Sequence, residues 1–166
     1  MHGRIYQLAE SPVPVNDYID LGYFFEHRFC VEIADSVDDG LDRDSEIKMF
    51  CETYANRGVI TANGDQSFEL TQNGKSAYFG NAFPAFNAAI SELGQITEGD
   101  FQNYHGKVSG LVYKLRNSFN EQFGDYIAIF ADDDPDDFRL ITMDEFMREA
   151  VVGKTYYIGA IIDYHW

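Results

Sequence analysis

The last segment of the chain constrains its fold more than any other. Thr155–Trp166 (TYYIGAIIDYHW) is almost continuously apolar, which makes it the strongest strand signal in the sequence. A strand this apolar is unsuited to an exposed sheet edge, so we expect it at the centre of a sheet. Gly3–Ala9 (GRIYQLA) is a second, shorter strand candidate. The two terminal strands are therefore predicted to pair.

Between these strands the spacing of apolar residues changes from two to three or four, which predicts a block of helices. The first helix is expected from about Gly22 to the turn at Asp38-Asp39-Gly40, and the second is expected to end at Gly58. Asn63-Gly64 between short apolar runs predicts a β-hairpin. The apolar stripes are Phe25, Phe29, Cys30, Ile33, Ala34 and Val37 in the first helix, Ile47, Phe50, Cys51 and Tyr54 in the second, Phe83, Phe86, Ile90 and Leu93 in the third, and Val108, Leu111, Val112, Leu115 and Phe119 in the fourth.

The strand pattern returns in Tyr126–Phe130, and Thr142 with Glu145 three residues later forms a capping box that opens a helix to about Val151. Strand, helical block and strands again is the order of the α+β class. No repeat or linker divides the 166 residues. The sequence therefore predicts one α+β domain over residues 1–166. Its sheet is expected to be mainly antiparallel, to include both terminal strands and to pack against about five helices.

The cysteines and the first residues bear on the cellular compartment. Cys30 and Cys51 are too few for a disulfide framework and lack the spacing of a structural zinc site, so we expect buried thiols in a reducing compartment. The opening residues contain no apolar signal segment, and no run approaches about 18 consecutive apolar residues. These features predict a cytoplasmic protein that does not span a membrane.

The charge of the chain narrows its possible partners. Twelve basic and 28 acidic residues give a net charge of −16, which repels nucleic-acid phosphates and anionic lipid headgroups. Residues 70–120 are nearly neutral, and the acid-free run 101–120 contains Lys107, Lys114 and Arg116. One interpretation is a helix with a basic outer face. The other is a docking surface for an acidic partner, for which these three bases are the candidate partner-binding residues.

The acidic run Asp132–Asp137 is the most conspicuous chemical feature. Closely spaced carboxylates suit Mg²⁺ or Ca²⁺, so Asp132, Asp134 and Asp136 are the candidate metal ligands. An EF-hand is excluded because its twelfth position, a glutamate, is Met143 here. The run also resembles the first motif of haloacid-dehalogenase phosphatases and the D-x-D motif of nucleotide-sugar transferases, but both need more chain after the motif. We interpret it as a solvated acidic loop or an adventitious cation site, and we predict no other cofactor.

Histidines and cysteines give no clear catalytic or metal constellation. His27 and Cys30 lie three residues apart, and Cys51 belongs to the neighbouring helix, but both cysteines occupy apolar stripes where a thiol acts as a small hydrophobe. The remaining histidines are not at metal spacing to one another: His2, His105 and His165. Nucleophile-elbow, zincin, Rossmann and phosphate-loop motifs are also missing, which favours a non-enzymatic protein.

Three functional hypotheses follow from the sequence. The leading one is a small acidic, non-catalytic module that binds another protein. The second is an acidic mimic of nucleic acid that occupies a DNA-binding protein, although the acid-free run 101–120 would interrupt its negative surface. The third is a metal-assisted hydrolase that uses Asp132, Asp134 and Asp136.

Overall fold

The computed structural model describes residues 2–26, 34–104, 106–118, 125–131 and 134–165. Within these ranges, seven strands form one mixed sheet and seven α-helices accompany it. The strands are β1 (His2–Ala9), β2 (Ser36–Asp38), β3 (Ile60–Asn63), β4 (Ser67–Leu70), β5 (Tyr126–Ala131), β6 (Asp134–Thr142) and β7 (Thr155–His165). The helices are α1 (Leu21–Glu26), α2 (Arg43–Asn56), α3 (Gly74–Phe79), α4 (Ala82–Leu93), α5 (Glu98–Gln102), α6 (Lys107–Asn117) and α7 (Met143–Glu149), and a 3-10 turn covers Val15–Asp17.

The C-terminal strand β7 lies inside the sheet, as its apolar run predicts. The strand order is β3-β4-β7-β1-β5-β6, and β2 pairs with the end of β7. Strands β1 and β5 are parallel, and the other pairs are antiparallel. The α+β class, the mainly antiparallel sheet and the pairing of the two terminal strands are thus confirmed.

The two faces of the sheet carry separate buried cores, because successive side chains of a strand point to opposite faces. On one face, Tyr6 and Leu8 of β1 join residues of α2 and α7 in a large core. Phe50 of α2 lies at its centre, with ring centroids 4.6 Å from Tyr6 and 4.6 Å from Tyr54. On the other face, Ile5 belongs to a small core whose further members are Ile19, Phe24, Ala34, Ala128, Ala160, Ile162 and Tyr164.

A β-bulge in β7 is built around the buried side chain of Gln7, which is 3% exposed. Its Oε1 accepts hydrogen bonds from the backbone N–H of Ala160 at 2.9 Å and of Ile19 at 3.2 Å, and its Nε2 donates to the carbonyl of Asp17 at 2.8 Å. A Cβ at Gly159 would lie 2.5 Å from Gln7 Oε1. Gly159 therefore leaves the space that this polar centre needs.

The side chain of Arg43 occupies the edge of β7 between β4 and β2. Its Nε donates to the carbonyl of Gly159 at 2.6 Å, and Nη2 donates to the carbonyl of Ile158 at 2.6 Å. The guanidinium also lies 4.9 Å from the centroid of the Tyr18 ring. Arg43 thus satisfies two strand carbonyls and fixes the first turn of α2 to the sheet.

The first predicted helix is correct at its beginning and wrong at its end. Helix α1 covers Leu21–Glu26, and Ser36–Asp38 forms strand β2 instead of the last helical turn. Phe25, expected in the apolar stripe, is 62% exposed, whereas Phe24 is fully buried. The stretch 27–33, with three further predicted stripe residues, lies outside the described residues. The spacing of apolar residues did not predict strand β2 because its antiparallel pairing with β7 joins distant parts of the chain.

Residues 134–137 of the acidic run belong to a strand, although the composition of the run predicts a loop. Strand β6 begins at Asp134 and pairs with β5, with Ala131 opposite Asp134 and Phe130 opposite Phe138. Residues 135–137 are accommodated in a shift of register. The hydrogen-bonded ladder with β5 therefore outweighs the low strand preference of aspartate.

Other local signals are confirmed. Gly58 ends α2 with a φ of 72°, a conformation that suits glycine. Strands β3 and β4 form the hairpin expected at Asn63-Gly64. In the capping box of α7, Glu145 N donates to Thr142 Oγ1 at 3.2 Å, and Thr142 N donates to Glu145 Oε2 at 2.9 Å.

Candidate functional site

The two longer helices α4 and α6 pack on each other, and the short helix α5 connects them along the chain. We call this unit, residues 82–118, the helical pair. Ala89 of α4 is 2% exposed, and Val108 and Leu111 of α6 are 4% and 3% exposed. Among the residues that the structure describes, none of those in 82–118 belongs to either core on the sheet. The small side chain of Ala89 allows close approach, as the alanine content of this helix predicts. Among the described elements, the helices of this unit contact one another more than they contact the sheet.

The outer surface of the helical pair carries large exposed rings. Phe83 is 66% exposed, Phe101 69% and Tyr113 67%, and Tyr104 and Ile90 are also exposed. Phe83 and Ile90 are seven residues apart on α4 and share one face of the helix. Both were predicted to pack inward, but the neighbouring stripe around Ala89 is the buried one. The unit thus presents apolar surface outward.

The three predicted partner-binding bases all lie on α6, but two of them are paired within the unit. Lys107 Nζ lies 3.9 Å from Asp100 Oδ2, and Lys114 Nζ lies 3.6 Å from Glu92 Oε2. Arg116 is exposed and lies two residues from Lys114, which places them on different sides of the helix. Residues 82–118 contain three acidic and three basic side chains. Their surface is therefore neutral and apolar rather than basic.

Capping fixes the turn of α5 that carries Phe101. Asp100 N donates to Thr97 Oγ1 at 3.2 Å, and Thr97 N donates to Asp100 Oδ2 at 3.0 Å. The hydrogen bonds from Thr97 and the charge of Lys107 lower the pKa of Asp100. The cap holds Phe101 on an ordered element although its ring is exposed.

A cavity of about 230 Å³ lies at the carboxyl ends of the parallel strands β1 and β5, and we call it the β1–β5 cleft. Open α/β sheets commonly place ligands outside the carboxyl ends of their strands. The phenol oxygen of Tyr156 accepts a hydrogen bond from Val151 N at 2.9 Å, which fixes this ring in the wall. The apolar lining consists of Leu8, Ala9, Ile129, Phe146, Ala150, Val151 and Tyr156.

The rim of the β1–β5 cleft consists of two ion pairs. Arg139 pairs with Glu149, and Lys154 pairs with Glu10. The side chains of Arg139 and Glu149 are 57% and 54% exposed, so water screens their attraction. Sequence reasoning missed this site because its residues come from β1, β5, β6, α7 and β7 and from the segments that follow β1 and α7, and no motif joins them.

A second charged cluster lies at the opposite end of β1. Arg4 Nε donates to Glu46 Oε2 at 2.9 Å, and its Nη1 donates to Asp163 Oδ1. His2 Nδ1 lies 2.8 Å from Asp163 Oδ2, and the rings of His2 and His165 are 5.0 Å apart. These groups bond to one another across β1, β7 and α2. The cluster is therefore a structural ion network rather than an acid–base site directed at a ligand.

Two carboxyl groups have raised pKa values, a property that can mark functional sites. Burial raises the pKa of Asp125 to about 6, although Arg4 N donates to its Oδ1 at 3.1 Å. Burial also raises the pKa of Asp144, which accepts a hydrogen bond from the Tyr78 phenol at 2.9 Å. In both cases the hydrogen-bond donor belongs to the fold, so neither carboxyl group is assigned a catalytic role.

The predicted metal ligands remain a prediction. Asp132 lies outside the described residues, and for Asp134 and Asp136 the structure describes only the backbone, in β6. Of the remaining candidates, His27, Cys30 and His105 also lie outside the described residues. Cys51 is a half-buried free thiol whose pKa is raised by burial, as expected for a packing role. Across the described ranges, His, Cys, Asp and Glu side chains form no cluster suited to a metal ion.

The described helices include none with both the length and the apolar character needed to cross a membrane. In comparisons with protein-family models, curated proteins and solved structures, no match to this chain was found. The helical pair and the β1–β5 cleft are accordingly interpreted from their own geometry.

Proposed function

We propose that this protein is a non-catalytic interaction module, acting in the cytoplasm, that binds another protein through the outer surface of the helical pair. The observation that carries the proposal is the exposure of Phe83, Phe101 and Tyr113, each about two thirds open to solvent. Large exposed apolar surface on a soluble domain is characteristic of interaction sites. Aromatic side chains are also the residues that most often dominate binding energy in protein interfaces.

The charge distribution supports the same surface. The helical pair carries no net charge, so the rest of the chain accounts for the whole −16. Acidic surface elsewhere repels most cellular proteins, which are themselves often acidic, and keeps the chain soluble. A partner can approach the neutral unit without that repulsion. Apolar complementarity is therefore the main attraction that we propose, and the bases of α6 contribute at the edge of the contact.

The energetics favour rings over charges as anchors. Burying a ring of this size contributes about 1.5 to 3 kcal/mol relative to leaving it exposed. An exposed ion pair contributes about 0 to 1 kcal/mol. Lys114 already pairs with Glu92 in the same chain, so a new ion pair with a partner adds little. Substitution of the rings should consequently affect partner binding more than substitution of the bases.

A capture experiment with a matched control tests the proposal. Immobilised wild-type protein, the double variant Phe101→Ser/Tyr113→Ser and the control Phe25→Ser are incubated with lysate of the source cells, and bound proteins are quantified by mass spectrometry. Phe25 is a suitable control because its ring is 62% exposed but lies outside the helical pair. We expect proteins that are retained by wild type and control and lost from the double variant. Equal capture by all three would contradict the proposal.

Charge reversal separates the contribution of the bases. In Lys107→Glu/Lys114→Glu/Arg116→Glu, a captured partner should associate more slowly, and its dissociation rate should change less, because charges at the edge of an interface act mainly on the encounter. Surface plasmon resonance at two salt concentrations measures both rates. A loss of binding larger than that of the ring variant would instead make the bases the main determinant.

A further inference from the structure

We propose that the β1–β5 cleft is a binding site for a small zwitterion with an apolar side chain, the class of ligand that apolar α-amino acids represent. The proposal concerns a region separate from the helical pair, so each can fail without the other. It rests on the volume of the cleft, its apolar lining and the arrangement of charge on its rim.

The size and lining of the cleft define the uncharged part of the ligand. A volume of about 230 Å³ corresponds to roughly seven or eight waters of the liquid, which suits a molecule of amino-acid size. The rings of Phe146 and Tyr156 and the side chains of Leu8 and Ile129 line it. Displacing water from this lining favours a branched aliphatic or aromatic group.

The rim defines the charged part of the ligand. Two bases, Arg139 and Lys154, and two acids, Glu10 and Glu149, lie around the same opening. A ligand that carries only a carboxylate takes a base from its acid and leaves that acid unpaired, and a ligand that carries only an ammonium does the converse. A zwitterion matches both signs, with its carboxylate near a base and its ammonium near an acid. It also adds no net charge to a protein that is already at −16.

The rim groups are able to exchange partners. Arg139 and Glu149 are both more than half exposed, so water competes for both groups and their attraction is weak. Replacing one of these contacts with a ligand contact therefore costs little. Tyr156 stays in place during the exchange because Val151 N donates to its hydroxyl oxygen. The cleft thus combines a fixed apolar wall with adaptable charges.

Calorimetric titration of the full chain tests the ligand class. The probes are L-phenylalanine and L-leucine, with 3-phenylpropionate, which lacks the ammonium, and 2-phenylethylamine, which lacks the carboxylate. We expect saturable binding of at least one amino acid at concentrations up to about 10 mM and at least ten-fold weaker binding of both analogues, the loss expected when one charged contact of about 1.4 kcal/mol or more is removed. No binding of either amino acid, or equal binding of an analogue, overturns the proposal.

Variants then locate the site. Arg139→Gln/Lys154→Gln should weaken binding at least ten-fold, and Val151→Trp should block the cleft. The matched control is Lys48→Gln/Arg57→Gln, which removes the same two residue types from exposed positions outside the cleft. The control should bind as wild type does, and all variants should keep the wild-type melting temperature. Unchanged binding by Arg139→Gln/Lys154→Gln and Val151→Trp would place any amino-acid site elsewhere and overturn the assignment.

Discussion

The sheet and the helical pair use aromatic residues in opposite ways. In the sheet region, the ring of Phe50 is 2% exposed and lies 4.6 to 5.3 Å from the rings of Tyr6, Tyr54 and Phe68. In the helical pair, the ring of Phe83 is 66% exposed. The first kind of ring is needed to fold the chain, whereas the second adds little to folding. This difference is the reason for assigning stability to the sheet and for proposing partner binding at the helices.

A matched pair of substitutions gives the largest test of that difference. Phe50→Ala should lower the free energy of unfolding by about 3 to 5 kcal/mol, because it leaves a cavity at the centre of the large core. Phe83→Ala, the same chemical change on an exposed helix face, should alter it by no more than about 0.5 kcal/mol. Urea unfolding monitored by circular dichroism measures both. Comparable losses from the two substitutions would show that the helical pair is also part of the folding core.

Sequence patterns identified the elements whose signals are local. The apolar run of β7, the turn at Asn63-Gly64, Gly58 at the end of α2 and the Thr142–Glu145 cap were each predicted from a few neighbouring residues, and each lies where expected. These signals succeed because hydrogen bonds and burial within one element determine them. The class of the fold follows from the order of such elements.

Apart from the pairing of the two terminal strands, the features that join distant parts of the chain were not predictable. Strand β2 forms because it pairs with β7. The parallel pairing of β1 with β5 brings the carboxyl ends of these two strands together at the cleft. In the helical pair, the apolar stripe at Phe83 and Ile90 was assigned to the interior because periodicity cannot show which of two adjacent stripes meets a neighbour. The presence of Ala89 decided it, since a small side chain lets α6 approach closely.

A second prediction sharpens the picture of the sheet as the rigid region. Gly159→Ala should lower the free energy of unfolding by about 2 to 3 kcal/mol, because the new Cβ would lie 2.5 Å from Gln7 Oε1 in a buried site. If the contact with Gln7 causes this loss, shortening the Gln7 side chain should relieve it. In the double variant Gln7→Ala/Gly159→Ala, the loss should be smaller than the combined losses of the two single variants, and chemical denaturation of all four proteins measures it. Additive losses within about 0.5 kcal/mol would assign the effect to the backbone of Gly159 alone.

The smallest expected effect concerns two aspartates whose pKa values move in opposite directions in the two regions. Burial in the sheet region raises the pKa of Asp125 from 3.8 to about 6, whereas hydrogen bonds from Thr97 lower the pKa of the partly exposed Asp100 in the helical pair. Between pH 4 and 6 the folded state holds a proton on Asp125 that the unfolded state has lost, so this group lowers stability as the pH rises through that window. Asp100 acts in the opposite sense, and its contribution is present above its unfolded pKa and lost in acid.

Replacement of each aspartate by asparagine should therefore have opposite consequences. Asp125→Asn keeps an acceptor for the Arg4 N–H and removes the buried charge, so it should raise stability by about 1 to 2 kcal/mol at pH 7 and change it little at pH 4. Asp100→Asn should lower the melting temperature slightly at pH 7, and its difference from wild type should shrink toward pH 3. Melting curves from pH 3 to 8 measure both trends. The contrary result is a variant Asp125→Asn that is less stable than wild type at pH 7. Interaction with Arg4 would then stabilise the fold by more than burial of the carboxylate destabilises it, and the charge network would be a source of stability in the sheet.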